Sequence, residues 1–144
     1  MTSIRACSYN CFSLSKNIEL VRELTESNYD IIFLQETLVT DNNLGMLDFI
    51  DESYKSIGIG ATYSNRSMES GYGRPMGGLG CIFKNNIPIK LIDSSNDIMI
   101  VSITLNSVTL ILVNVYLRSI LDADTLAEYT SNLHQLDQIL NRIE

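Results

Sequence analysis

The run Asp30-Ile31-Ile32-Phe33-Leu34-Gln35 sets the strongest limit on what this chain can become. Side chains along an extended strand point alternately to opposite faces, so four consecutive apolar residues leave neither face free for water. Such a segment belongs inside a sheet that is covered on both sides. Upstream, Ile4 to Ser8 reads as a short strand. A helix follows it, with Ser15 or Asn17 as cap and Ile18, Val21 and Leu24 on one face. Strand, helix and buried strand in this order predict a βαβ unit with a parallel pair.

Further along, Asn43 to Ile50 carries the pattern of a short helix at best, and Ile57 to Tyr63 that of a strand. Ser64 to Pro75 is a polar, glycine-containing stretch expected to be an exposed loop. From Gly78 the pattern turns to antiparallel strands. Leu79 to Lys84 and Ile87 to Ile92 flank Asn85-Asn86, and Ile98 to Leu105 and Val108 to Tyr116 flank Asn106-Ser107, which predicts two hairpins. Asp122 to Ile143 is helical, with Leu126, Tyr129, Leu133, Leu136, Leu140 and Ile143 as its apolar face. Thr125 and Glu128 stand at capping-box spacing. The amphipathic pattern continues to the end without a stop signal. The expectation is an α/β fold: residues 1–144 as a single, C-terminally truncated domain with one mixed sheet. The helices headed by Ile18 and Leu126 would cover one face of that sheet. The other face would be bare, making the chain one half of a two-sheet sandwich.

At 144 residues, a one-domain length, the chain can bury a real core. No apolar run approaches the roughly 18 residues of a membrane span, and the N-terminus lacks the basic-then-apolar pattern of a signal peptide. The expected setting is therefore intracellular, nucleus or cytoplasm, rather than secreted or membrane-bound. Lys plus Arg total 10 against 17 Asp plus Glu, a net charge of −7. That balance argues against the chain alone binding nucleic acid strongly, because phosphate contacts need clustered cations. Cys7, Cys11 and Cys81 form no Cys-x-x-Cys pair, and the one histidine is distant at His134. Reduced thiols, rather than a zinc site, are the expectation.

Four short stretches carry the chemistry. They are Ser8-Tyr9-Asn10-Cys11, Tyr29-Asp30-Ile31-Ile32-Phe33-Leu34-Gln35-Glu36-Thr37, Gly73-Arg74-Pro75-Met76-Gly77-Gly78-Leu79-Gly80, and Leu112-Val113-Asn114-Val115-Tyr116-Leu117. In each of the strand-like stretches the polar residue of interest sits where an apolar strand ends, the place where a sheet offers side chains to a ligand. In order and spacing these stretches resemble the endonuclease/exonuclease/phosphatase superfamily, the fold of pancreatic deoxyribonuclease and abasic-site endonucleases. The Gly-Arg-Pro-x-Gly-Gly element is most similar to the endonuclease domain of non-LTR retrotransposons.

The resemblance implies a metal-dependent phosphodiester hydrolase acting on DNA. It assigns Glu36 to the carboxylate that binds the catalytic Mg²⁺ (Mn²⁺ being the alternative ion). It also assigns Asn10 to the first-strand asparagine of the metal and phosphate site, and Tyr116 to the tyrosine that hydrogen-bonds the scissile phosphate. Arg74 is the candidate for a backbone phosphate contact. Read from the residues alone, Asn10 could instead cap a turn, Tyr116 could be a strand-end aromatic, and Arg74 a solvated loop charge. Gly77, Gly78 and Gly80 fit close strand packing rather than a phosphate loop, because they do not follow a strand and open a helix.

The chain departs from the family in two ways. Leu117-Arg118-Ser119 stands where a proline often follows the tyrosine. The family's second-half elements, Gly-Asp-x-Asn and Ser-Asp-His, are also absent from these 144 residues. Two other readings stand beside the partial nuclease: a catalytically inactive interaction module or relic of such a domain, and a phosphatase branch of the superfamily. The expected partners are DNA, as substrate of the complete domain, and a second copy or another protein on the exposed sheet face.

Overall fold

The computed structural model describes residues 3–63, 73–119, 121 and 123–143 of the 144. In chain order the elements are β1 (Ala6–Asn10), α1 (Leu14–Glu26), β2 (Ile31–Gln35), a 3₁₀ segment (Asp41–Phe49), β3 (Tyr54–Ile59), β4 (Leu79–Lys84), β5 (Ile89–Ser95), β6 (Ile98–Leu105), β7 (Val108–Val115) and α2 (Ala123–Ile143). The α/β class is as expected, and β1 and β2 form the parallel pair, Ala6 opposite Ile31 through Asn10 opposite Gln35. Every residue of β2 is buried.

The strands form two sheets rather than one. A four-stranded mixed sheet has the order β1-β2-β4-β3, and a three-stranded antiparallel sheet the order β5-β6-β7. They pack face to face: Ile31, Phe33, Leu79, Cys81 and Phe83 of the first meet Met99, Val101 and Ile103 of the second. The inner face expected to be bare is therefore covered from within the chain. The helices lie on opposite outer faces, not on one. Leu14 and Val21 of α1 pack with Ile32, Leu34 and Ile82 of the first sheet. Ile139 and Leu136 of α2 pack with Ile98, Ile100, Ile111, Val113 and Val115 of the second. The result is four layers, helix, sheet, sheet, helix.

The two predicted hairpins have different outcomes. Asn106 and Ser107 turn β6 into β7 with φ of 46° and 70°, the positive pair that a tight hairpin turn requires. Asn85-Asn86 does not join paired strands. Both edges of β4 are already taken, by β2 and β3. Ile87, 3% exposed, is drawn between the sheets, and Pro88 cannot donate to a ladder. The chain crosses to the second sheet instead.

Three boundaries also move. Helix α1 begins at Leu14, with a joint at Asn17 (φ −119°) whose Nδ2 donates to the Cys11 carbonyl at 2.7 Å. The strand expected at Ile57 to Tyr63 is Tyr54–Ile59, and the helix at Asn43 to Ile50 is the 3₁₀ segment. On α2 the buried face is rotated from the expected one. Leu126, Leu133 and Leu140 are 48%, 41% and 45% exposed while Ile139 is 5%. Asn132 donates to Asp97 Oδ2 at 3.0 Å, which holds the helix at that rotation. Most of the expected loop, 64–72, lies outside the described residues; Gly73 and Arg74 are exposed. No helix among the described residues is long and apolar enough to cross a membrane.

At the start of β2, Asp30 accepts from the Arg5 backbone N–H and from Lys84 Nζ, both at 2.8 Å. Those bonds hold its carboxyl below the ordinary range. A depressed folded pKa contributes stability above the ordinary carboxylate value of about 3.9, and this is lost as pH falls through the folded pKa. Asp30→Asn is expected to lower stability at neutral pH by roughly 1–3 kcal/mol. The gap to wild type should narrow below about pH 4, which urea titrations at neutral and acid pH would measure.

Candidate functional site

The carboxyl ends of β1 and β2 and the end of β7 meet at one end of the sandwich. Asn114 and Gln35 bring them together. Asn114 is the polar residue on the inner face of β7, 2% exposed. Its Nδ2 donates to the carbonyls of Leu34 and Gly80, both at 3.1 Å, across the gap between the sheets. Gln35 Nε2 donates to Asn114 Oδ1 at 2.6 Å and to Ser8 Oγ at 2.8 Å. Buried amides left unpaired are costly, so this network pins the two sheets to each other at this point.

The residues that follow those amides are the ones the sequence singled out. Tyr116, two residues past Asn114, donates its hydroxyl to Glu36 Oε1, one residue past Gln35. Asn10 lies beside Gln35 in the β1–β2 register. Its Oδ1 accepts from the Phe12 backbone N–H at 3.1 Å, so it does cap a turn, one register position before Glu36. Cys11 N–H donates to the Gln35 carbonyl and Ser13 N–H to that of Glu36, continuing the parallel pair past the strands. Asn10, Glu36 and Tyr116 thus share one end of the structure. Arg74 is exposed in the loop before Gly77.

Backbone strain concentrates here. Phe12, Ser13, Glu36 and Leu38 all have positive φ, of 51°, 116°, 50° and 55°. Non-glycine residues in that region persist only where surrounding contacts hold them. The Gly77-Gly78 pair supplies such contacts: the Gly78 carbonyl accepts from Thr37 N–H and the Gly77 carbonyl from Leu38 N–H. Gly78 itself has φ of 87°, and a Cβ there would come within 2.4 Å of Thr37 Oγ1. The expectation of a close-packing role fits Gly78 on both counts.

Charge and burial set the protonation of the cluster. Burial, then the hydrogen bond to Glu36, pushes the Tyr116 hydroxyl up to about 12, with Arg118 acting in the opposite direction. Tyr116 is therefore a hydrogen-bond donor at neutral pH. Burial and the neighbouring Glu36 push the Cys11 thiol up to about 12, so it is no nucleophile. Arg118 Nη2 lies 3.4 Å from Asp97 Oδ1 and Nη1 3.8 Å from Glu128 Oε2, and its buried Nε has no hydrogen-bond partner among the described residues. His134 is exposed on α2 with its Nε2 3.0 Å from Gln138 Nε2. Two open hollows lie away from this end, one between Thr25, Asn28, Asp51, Tyr54 and Lys84 and one around Phe83 to Ile89.

Glu36 and Asn10 are hard-oxygen donors of the kind Mg²⁺ prefers. They fit the ion in type but supply few ligands, and no group of three or more His, Cys, Asp or Glu among the described residues could hold a metal. The residues that sequence reasoning passed over are Gln35, Asn114 and Asp97. The first two had a signal: an amide at the inward register of an apolar strand must find a partner across the core.

No family model and no curated protein matches this sequence. Solved structures do. The chain superposes on an AP endonuclease from Leishmania major with a TM-score of 0.66 at 16% identity, covering 88% of this chain and 44% of that one. An AP endonuclease from Archaeoglobus fulgidus gives 0.65 at 16%, covering 97% and 52%. The endonuclease domain of TRAS1, a telomere-specific non-LTR retrotransposon, gives 0.59 at 14%, covering 99% and 54%. The chain has the endonuclease/exonuclease/phosphatase fold. It spans about half the length of these neighbours.

The Tyr116–Glu36 bond gives a direct test of the site. Tyr116 is expected to ionise near 12, about two units above an ordinary tyrosine. In Glu36→Gln it should ionise lower, since the carboxylate's hydrogen bond and charge both favour the protonated phenol. Tyrosinate absorbance against pH, compared with Tyr116→Phe to assign the signal among seven tyrosines, would show the shift.

Proposed function

We propose that this chain is the portion of a metal-dependent, DNA-cleaving phosphodiesterase that carries part of the metal site and one phosphate contact. The observation behind this reading is the Tyr116 hydroxyl bonded to the Glu36 carboxylate across two sheets, at strand ends held in strained backbone. The fold shared with AP endonucleases and a retrotransposon endonuclease supports it.

In this reading Glu36 and the Asn10 side chain supply oxygen ligands to Mg²⁺ or Mn²⁺. The bound ion would polarise a phosphoryl oxygen and stabilise the leaving one. Tyr116, protonated at neutral pH, turns its hydroxyl from Glu36 to a non-bridging phosphate oxygen. Gln35 and Asn114 hold both residues in place without touching substrate. Among the described residues, Arg74, on the loop entering Gly77, is a cation available to the phosphodiester backbone, and Arg118, whose charge reaches the Tyr116 hydroxyl, would do so only on leaving Asp97. His134 stands outside the strand-end cluster, so among the described residues the cluster contains no histidine to activate the attacking water. General acid–base help is typically worth 10²–10⁴-fold.

A non-catalytic module built on this fold is the second reading, favoured by the net charge of −7 and by that missing base. Purified chain is expected to bind Mg²⁺ weakly, with chemical-shift changes at Asn10, Glu36 and Tyr116 that vanish in Glu36→Gln. It should not nick supercoiled plasmid. Tight Mg²⁺ binding that survives Glu36→Gln would remove Glu36 from the metal site. Robust nicking lost in Glu36→Ala would overturn the partial-site reading.

A further inference from the structure

The turn between β1 and α1 sorts its side chains against their polarity. Cys11 and Leu14 are fully buried and Ser13 is 6% exposed, while Phe12, the largest side chain of the four, stands 68% in solvent. Burial alone favours the opposite order, since an aromatic ring gains by leaving water and a hydroxyl does not. The backbone enforces the inversion. Phe12 and Ser13 are both held at positive φ, 51° and 116°, which a bulky residue adopts only under constraint. The constraint is a row of hydrogen bonds. Cys11 N–H donates to the Gln35 carbonyl, Phe12 N–H to Asn10 Oδ1, Ser13 N–H to the Glu36 carbonyl and Leu14 N–H to that of Thr37. All of them run within the turn or from it to the end of β2. They set Phe12 against the Gln35–Glu36 backbone whatever else adjoins the chain.

Exposure by itself would say little. Phe49 is 83% exposed too, but it lies on the 3₁₀ segment two residues before Asp51, which lines a hollow away from the site, and its φ is not positive. Phe12 combines an exposed ring, a strained backbone and a place at the strand ends that carry Glu36 and Tyr116. Strain kept in the folded chain to hold a side chain in water points to a contact made with a ligand.

The chemistry of the ring narrows the ligand. An uncharged aromatic face takes another flat face, and beside a phosphodiester that face is a nucleobase, which stacks on aromatic side chains with little regard to sequence. The charge balance agrees. With 10 Lys plus Arg against 17 Asp plus Glu, the chain can release few counterions from DNA, so contacts that need no cation carry more of its affinity. In a duplex each base face is covered by its neighbours, so the base that reaches Phe12 is an unpaired one.

We propose that Phe12 is a stacking platform for an unpaired base of the DNA strand bound at the Glu36–Tyr116 end. It is then a specificity-determining residue, favouring single-stranded or locally unpaired DNA over intact duplex. This rests on the phosphodiesterase reading above and adds to it the kind of strand that is taken.

The test titrates the full 144-residue chain, in Mg²⁺, with two single-stranded probes of equal length: an oligothymidylate and the same sugar–phosphate chain lacking bases. Nuclear magnetic resonance reads the binding. Phe12→Leu should weaken oligothymidylate binding about ten-fold, and by the same factor at low and high salt, because no ion pair is lost. Phe12→Trp should bind at least as tightly as wild type. The base-free probe should bind wild type and Phe12→Leu alike, and Phe49→Leu should change neither titration. Phe12→Gly, which relaxes the positive φ, should lose affinity as Phe12→Leu does yet unfold at no lower a urea concentration than wild type. Oligothymidylate binding that is lost in Glu36→Gln but untouched in Phe12→Leu would overturn the proposal and leave the phosphodiesterase reading standing. A loss shared by the base-free probe, or a Phe12→Gly chain that is less stable as well as weaker in binding, would overturn it too. No Mg²⁺-dependent binding of either probe by wild type would overturn both.

Discussion

The Asn114–Gln35 bridge is the contact on which the arrangement at the strand ends depends. Two sheets packed only through Ile, Leu, Phe and Met side chains could slide against each other at small cost, because dispersion and hydrophobic burial are not directional. An amide in that interface is different. Asn114 has two donors and an acceptor, and all are matched: Leu34 O, Gly80 O and Gln35 Nε2. A shift of one residue would leave several of them unpaired, at roughly 1–3 kcal/mol each. The polar network thus fixes the register of sheet on sheet. Glu36 and Tyr116, each close in sequence to a member of that network, are delivered to the same point.

How much of this was legible in the sequence depends on range. Signals carried within one segment were readable: the doubly buried strand at Ile31, the parallel pair, the Asn106-Ser107 turn and the long helix. Partition between two sheets was not, because it is decided by which edges are already occupied. Leu79–Lys84 and Ile89–Ser95 look like adjacent arms of a hairpin until β3 and β2 take both edges of β4. The face of α2 was misjudged for a similar reason. Counting apolar residues centred it on Leu133, whereas the Asn132–Asp97 hydrogen bond, a polar contact between distant segments, sets the helix rotation. The candidate site residues Asn10, Glu36 and Tyr116 came from resemblance; their neighbours Gln35 and Asn114 could have been found by asking where inward-facing amides find partners.

The local backbone repeats that logic. Four non-glycine residues with positive φ on two separate turns are not accounted for by their own propensities. They persist because one turn carries the other. Ser13 and Leu14 donate to the carbonyls of Glu36 and Thr37, while Thr37 and Leu38 donate to those of Gly78 and Gly77. The strand ends therefore form three stacked turns, and only the last is built from residues that adopt such angles freely. A side chain at Gly78 would strike Thr37 and disturb the turn that aims Glu36.

The same contact that assembles Glu36 and Tyr116 limits what they can do. In the chain as it stands each satisfies the other, and a hydrogen bond to a charged group is worth about 1.5–3 kcal/mol. A cation on Glu36 competes with the tyrosine for the carboxylate, and a phosphate on Tyr116 competes with the carboxylate for the hydroxyl. Either ligand alone must offset that bond, which is roughly ten- to a hundred-fold in affinity. A metal-bound phosphate replaces both halves of it at once, giving the carboxylate a cation and the hydroxyl an anionic acceptor. If Glu36 holds a cation and Tyr116 a phosphate, as proposed above, the pair would favour the two arriving together over either one separately, the selectivity that metal-assisted phosphodiester chemistry requires.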